Sequence, residues 1–190
     1  RSIGAQTYPN IEVLIADRYS TDETLAIAKK FHAKIHFASK LGEARQKNYE
    51  RSQGAYVCSI DSDQILDKDL IEQCVEMCEG GYDAVIISER SIIRRGTFVE
   101  HVIAYDKWLI DKTRSTDPVF GTACPRFFRK SALKSVDWLH TLSIFDDTIL
   151  YSKLLDEGAR VGYMRSATIG HYEVTNWTEV FKKFYRYGKG

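Results

Sequence analysis

Asp61-Ser62-Asp63 puts two carboxylates two positions apart, directly after the apolar run 55–60. In extended backbone, residues i and i+2 point to one side of a strand. Two carboxylates so placed at a strand's carboxyl end can converge on one hard cation, and open α/β sheets bind ligands at that end. Carboxylate oxygens suit Mg²⁺ or Mn²⁺, and those ions suit a diphosphate. The competing reading is a solvated acidic turn before the next helix, and the triplet alone does not separate the two. Asp146-Asp147 opens a later helical stretch, where an acid also suits the helix dipole. His171 closes a short apolar segment, where a lone His is more often structural than ligating. Cys74 and Cys78 share one helix face by their spacing. No second Cys or His pair at zinc spacing joins them, so they read as small buried hydrophobes. Neither G-x-x-x-x-G-K nor G-x-G-x-x-G occurs in the chain.

The elements that must position these groups alternate. Residues 11–16 (IEVLIA) form an apolar run after a Tyr-Pro-Asn turn signal and predict a buried strand. Ser20 and Glu23 have the spacing of a capping box and predict a helix start. Strands follow at 34–38, 55–60 and 83–88, with helices at 41–53, stopped by Gly54, and at 67–78. Strand and helix in alternation imply a mostly parallel, helix-covered sheet. The second half is less regular. Residues 91–97, with Arg94, Arg95 and Gly96, read as a mobile loop able to fold over a donor or acceptor. Helices are expected at 99–112, at Ser131 and at 146–156, the last ending at Gly158. Strands are expected at 126–129, 160–164 and 167–171. Trp177, Val180, Phe181 and Phe184 mark a closing amphipathic helix over 177–187.

The chain has 190 residues, 27 Lys and Arg against 26 Asp and Glu, and a net charge of +1. It is long enough for one domain with a sizeable core. A near-neutral balance supplies no global field for a polyanion, so no nucleic-acid partner is expected. No apolar run reaches the roughly 18–20 residues of a membrane span. Four scattered cysteines do not make a secreted disulfide scaffold.

The order of features resembles the family 2 glycosyltransferases, enzymes of the GT-A fold. The likeness rests on Gln6 to Val13 (QTYPNIEV), on Asp17 with Ser20-Thr21-Asp22-Glu23-Thr24, and on Gly42, Ala44, Arg45 and Asn48. It continues through Gly54-Ala55-Tyr56 with Asp61-Ser62-Asp63, then Gly121, Arg126 to Arg129, Asp146-Asp147 and Gly170-His171. Each motif is degenerate, but the order is specific and spans nearly the whole chain. The resemblance implies a single α/β domain over 1–190 with a Rossmann-like, mostly parallel sheet, mixed in its second half. Residues 1–90 would bind the nucleotide-sugar and 91–190 the acceptor.

The implied activity is inverting transfer of a sugar from a nucleoside-diphosphate sugar to a hydroxyl or phosphate acceptor, such as a glycan or a lipid-linked group. Asp17 and Arg45 would read the nucleotide base. Asp61 would contact ribose or metal, Asp63 the Mg²⁺ or Mn²⁺ on the diphosphate, and His171 the metal or diphosphate. Asp147 would be the general base, with Asp146 its competitor, and Arg126 would bind substrate.

The sequence departs from the family at Arg18 and Tyr19, where a second acid and a glycine are usual, and at Gln64, where another acid is frequent. The Gly-Gly often found before a Phe-Asp is missing around Asp137-Trp138. The family's first strand is also missing, so the reading expects a longer natural chain. Two rivals stand beside transfer: a binding module without turnover, and a phosphotransferase using Asp61 as nucleophile. Position 65 is Ile, which counts against the second. The closing helix carries Lys182, Lys183 and Arg186, with Lys189 just beyond. Its aromatic face is expected on the sheet; the alternative is contact of 177–190 with an anionic membrane surface. The implied location is cytoplasmic, at or near a membrane.

Overall fold

A computed structural model describes residues 1–113, 124–136 and 146–188, apart from the side chains at 146, 186 and 187. Strands β1 (Leu14–Asp17) and β2 (Lys34–Phe37) pair in parallel as a two-stranded sheet. Strands β3 (Tyr56–Cys58), β4 (Gln64–Leu66), β5 (Ala84–Ile92), β6 (Phe127–Arg129) and β7 (Val161–Tyr172) form a second sheet in the order β3-β6-β5-β7-β4. β5 and β7 are parallel, while β6 runs against β3 and β5, and β4 against β7. Helices α1 (Thr24–Lys30), α2 (Leu41–Arg51), α3 (Leu70–Glu79), α4 (Phe98–Thr113), α5 (Asp146–Asp156) and α6 (Trp177–Tyr187) complete the described residues. The parallel relation expected of the first half holds for β1 with β2, but the larger sheet has one parallel pairing, β5 with β7, against three antiparallel ones, so it is mixed rather than mostly parallel. The short β4, not foreseen from its three residues, and β6 make the larger sheet mixed.

Two apolar layers hold the larger sheet. α3 buries Leu70, Ile71, Cys74 and Cys78 against Val85, Ile87, Phe127, Met164, Ala167 and Ile169. Leu150 and Leu154 of α5 cover Ala84, Phe128, Leu133 and Val136. Each fully buried aliphatic side chain stabilises by roughly 1.5–3 kcal/mol relative to exposure. Gln6 caps α3: its Oε1 accepts from Ile71 N at 3.1 Å and its Nε2 donates to Asp67 O at 2.8 Å. The first amides of a helix have no partner within it, so this bond satisfies one of them. Asp67 in turn accepts from the amide and hydroxyl of Thr168, tying the start of α3 to β7.

Several expectations change. The predicted capping box of α1 does not form, because the Ser20 hydroxyl is spent on Asp17 and Asp22 Oδ1 receives the Thr24 amide instead. α2 ends at Arg51, before Gly54. Gly158 does stop α5, with φ +78°. The two strands expected at 160–171 are one, β7, with three residues between the pairs Ile87↔Met164 and Ser88↔Thr168 that β5 does not match. Residues 91–97 are not a free loop. β5 runs through Ile92, and the fully buried Glu100 accepts the amides of Arg94, Arg95 and Thr97 and the Thr97 hydroxyl. α6 does not lay its aromatic face on the sheet: Trp177, Phe181, Phe184 and Tyr185 are exposed. No helix among the described residues is long and apolar enough to cross a membrane. Gly121 and Asp137-Trp138 lie outside the described residues.

Candidate active site

Asp61 and Asp63 do not share an extended strand. The Gln64 amide donates to Asp61 O at 3.2 Å, closing a turn through Ser62 and Asp63 before β4. The turn sends the two carboxylates to different partners. Asp61 Oδ2 lies 3.1 Å from Arg126 Nη1, and its Oδ1 3.8 Å from Arg45 Nη2. Arg45 Nη1 lies 3.8 Å from Asp147 Oδ2, so one buried guanidinium stands between the two aspartates. Arg45, Ser59, Arg126 and Asp147 line one pocket. Asp147 remains partly exposed there, its Oδ1 accepting the Thr148 amide.

Asp63 faces His171 instead, with Oδ2 3.4 Å from Nε2. β4 pairs antiparallel with β7, which sets Gln64 opposite His171 and brings the turn alongside it. The other ring nitrogen, Nδ1, is buried and faces Glu173 Oε1 at 3.6 Å, just beyond hydrogen-bond reach. Asp63 first, then Glu173, push the His171 pKa up to about 9, against burial. The hydrogen bond from His171 holds Asp63 below its usual value. Burial works to raise Glu173, but His171, Lys107 and Ser91 outweigh it and bring it down to about 2.

A line of alternating charge joins these groups. Arg126 Nε donates to Glu89 Oε1 at 3.1 Å, and Gln64 Nε2 reaches the same oxygen at 3.4 Å. Lys107 of α4 lies 3.7 Å from Glu89 Oε2 and 2.8 Å from Glu173 Oε1. The sequence reading missed Glu89, Lys107 and Glu173. Glu173 stands two residues beyond His171, the same i, i+2 relation that drew attention to Asp61 and Asp63. Glu89 continues the alternation of Val85 and Ile87 once β5 is read past Ser88.

Asp17, at the end of β1, is buried. Its Oδ1 and Oδ2 accept from the Ser20 amide and hydroxyl, both at 2.7 Å. Next to it, Tyr19 has a left-handed φ of 58° and stacks on Phe37 at 5.0 Å. Arg94 lies over the Tyr172 ring at 4.9 Å rather than over the cluster. Asp146 opens α5, and its side chain lies outside the described residues.

Among the described residues no group of three or more His, Cys, Asp or Glu side chains is arranged to hold a metal. The residues present still fit a Mg²⁺ or Mn²⁺ ion of the kind held by one or two protein ligands, with phosphate oxygens supplying the rest. Asp63 and His171 face each other, and once His171 gives up its proton to ligate, the cluster sets the five carboxylates of Asp61, Asp63, Glu89, Asp147 and Glu173 against three fixed cations, Arg45, Lys107 and Arg126. A divalent ion would offset that surplus.

The architecture and the pocket at its strand ends define a GT-A type glycosyltransferase fold. S. aureus TarS (residues 1–349), solved with UDP, superposes with a TM-score of 0.70 at 18% identity, covering 90% of this chain and 54% of that one. A mannosyltransferase from Pyrobaculum calidifontis, solved with GDP-Man and Mn²⁺, gives 0.61 at 17% identity, covering 90% and 50%. The chain belongs to glycosyl transferase family 2, whose profile matches residues 1–137. An uncharacterized glycosyltransferase of Rickettsia conorii is 26% identical over 179 residues, 90% of this chain and 56% of that protein. Chondroitin synthase of Escherichia coli is 30% identical over 105 residues, 50% of this chain and 15% of the enzyme. The chain thus spans less than two thirds of the length of each of these proteins.

Proposed function

We propose that residues 1–190 form one domain that transfers a sugar, with inversion, from a nucleoside-diphosphate sugar to a hydroxyl or phosphate acceptor. The observation that carries this reading is the pocket joining Arg45, Arg126 and Asp147, with the Asp63–His171 pair joined to it through Arg126, Glu89, Lys107 and Glu173. Asp147 takes the proton from the acceptor hydroxyl as its oxygen attacks the anomeric carbon. The bond from that carbon to the diphosphate oxygen breaks, and the nucleoside diphosphate leaves with the electron pair. Arg126 offers positive charge to the departing anion. Asp63 and His171 would hold Mg²⁺ or Mn²⁺, which supplies Lewis-acid stabilisation of the diphosphate. Asp61 would contact the ribose or metal, Asp17 and Arg45 the base, and Asp146 the acceptor. The ligands in the TarS and Pyrobaculum structures, UDP and GDP-Man, support a uridine or guanosine nucleotide.

Residues 1–90 would serve the donor and 91–190 the acceptor. α6, with exposed aromatics beside Lys182 and Lys183, supports peripheral contact with an anionic membrane on the cytoplasmic side. That placement suits a lipid-linked acceptor.

Thermal denaturation with UDP, GDP, dTDP and CMP, each with and without Mn²⁺, tests the reading. A ligand that binds only the folded state raises its midpoint by mass action. A shift with one nucleotide that requires Mn²⁺ is expected, and no shift with any of them defeats the proposal. Donor hydrolysis that disappears in Asp63→Ala separates an enzyme from a binding module without turnover. A phosphoenzyme trapped on Asp61 would instead establish the phosphotransferase alternative.

A further inference from the structure

The cluster contains one cation that does not come from a strand end or from the pocket wall. Lys107 reaches in from α4, and its ammonium touches carboxylates on two other segments. We propose that Lys107 is a positioning residue: by fixing Glu89 and Glu173 it aims Arg126 and His171 at the donor diphosphate and its metal. The proposal rests on the transfer reading above and adds to it a residue that touches neither substrate nor metal.

The geometry gives each carboxylate one orientation. Glu173, with only 3% of its side chain exposed, presents a single oxygen, Oε1, to three neighbours. These are Lys107 Nζ at 2.8 Å, the Ser91 hydroxyl at 2.7 Å and His171 Nδ1 at 3.6 Å. The two shorter contacts keep Glu173 from closing on the imidazole. His171 therefore stays suspended, with Nε2 toward Asp63 at 3.4 Å. On the other side, Glu89 turns Oε2 to Lys107 and so presents Oε1 to Arg126 and Gln64. A carboxylate behind a ligating imidazole fixes which ring nitrogen faces the metal. Here that carboxylate is itself held, and its holder is shared with the arginine side of the site.

Removing the ammonium leaves Glu89 and Glu173 without the cation between them. Two carboxylates that lose the cation between them move apart and lean on their remaining partners, which for Glu89 is Arg126. For Glu173 the remaining partner with a charge is His171, which would be drawn toward Nδ1 contact and away from Asp63.

The test uses Lys107→Met, which keeps length and removes charge, Lys107→Arg, which keeps charge, and Glu173→Gln. Mn²⁺ affinity is read from the electron paramagnetic resonance signal of the free ion, with whichever of UDP or GDP stabilises the wild type. Lys107→Met and Glu173→Gln are each expected to weaken Mn²⁺ binding by about tenfold, the lower end for partners of a metal ligand. Lys107→Arg should recover most of that loss. A Lys107→Met protein that melts earlier but binds Mn²⁺ as the wild type does reduces Lys107 to a structural tie and overturns the proposal. Should Lys107→Met fail to fold, unchanged affinity in Glu173→Gln overturns it equally. Wild-type protein that binds neither Mn²⁺ nor nucleotide defeats the transfer reading, and this proposal with it.

Discussion

Two stretches of one sheet face lie a few residues apart on the same strands. In the first, Val85 and Ile87 of β5 and Ala167 and Ile169 of β7 press against α3, none more than 2% exposed. In the second, Glu89 and Ser91 continue the alternation of β5, and His171 continues that of β7, with Glu173 one residue past its end. The pleat is the same, so the backbone aims both sets alike. Only the residue types change, and the packing changes with them. The apolar stretch has water excluded and fixed neighbours, the conditions under which burial stabilises. The ionic stretch holds charges that gain little net stability, because desolvation opposes their attraction. One stretch makes the scaffold rigid, and the other spends that rigidity on holding charges in fixed directions.

Asp147→Asn should have the largest effect. If it is the base, transfer falls by about 10²–10⁴-fold, while the melting midpoint and the nucleotide-induced shift stay near those of the wild type. Retained turnover would move the base elsewhere and weaken the division between the two stretches. Ile169→Ala, at a fully buried position, should cost about 2–5 kcal/mol in urea unfolding, with activity per folded molecule preserved. Loss of activity without loss of stability in that variant would mean the apolar stretch also tunes the site.

The smallest effect lies outside both stretches, at Glu100. The Thr97 amide chiefly, with those of Arg94 and Arg95, lowers its pKa from 4.5 to about 2. A depressed carboxylate contributes in full above its unfolded value and loses that contribution as pH falls toward its folded one. Protection of the Arg94, Arg95 and Thr97 amides from hydrogen exchange should therefore hold above about pH 4.5 and fade toward pH 2. In Glu100→Gln it should be weak already at neutral pH, with the rest of the chain unchanged. A global change instead would make that carboxylate part of the scaffold.

Much of the fold was legible, for identifiable reasons. α5 and α6 fall where spacing predicts them, because Gly158 and a regular apolar stripe mark their ends. Single-residue signals fared worse where a side chain had a second suitor. Ser20 looks like a cap until Asp17 is beside it. The site was half legible. Arg45, Asp61, Arg126 and Asp147 come together, as do Asp63 and His171, each singled out by the order of motifs that carries the family resemblance. Lys107 carries no such mark. A helical lysine reads as a solvated face, and only the packing of α4 beside β5 brings it between two glutamates. Likewise the aromatic stripe of α6 announces a helix with one apolar face but does not say what that face meets.

Of the three unmatched residues of β7, Ala167 is buried in the core, while Arg165 and Ser166 are exposed and act as an expansion joint. A change of chain length there can be absorbed without disturbing what comes after. Two residues later, Asp67 grips both the amide and the hydroxyl of Thr168 and works as a detent, resetting the phase of the strand. Past that point a single deletion would turn every following side chain to the opposite face and bring Tyr172 to where His171 stands. Homologues should therefore vary in length at 165–166 and keep the distance from Ala167 to Glu173 constant.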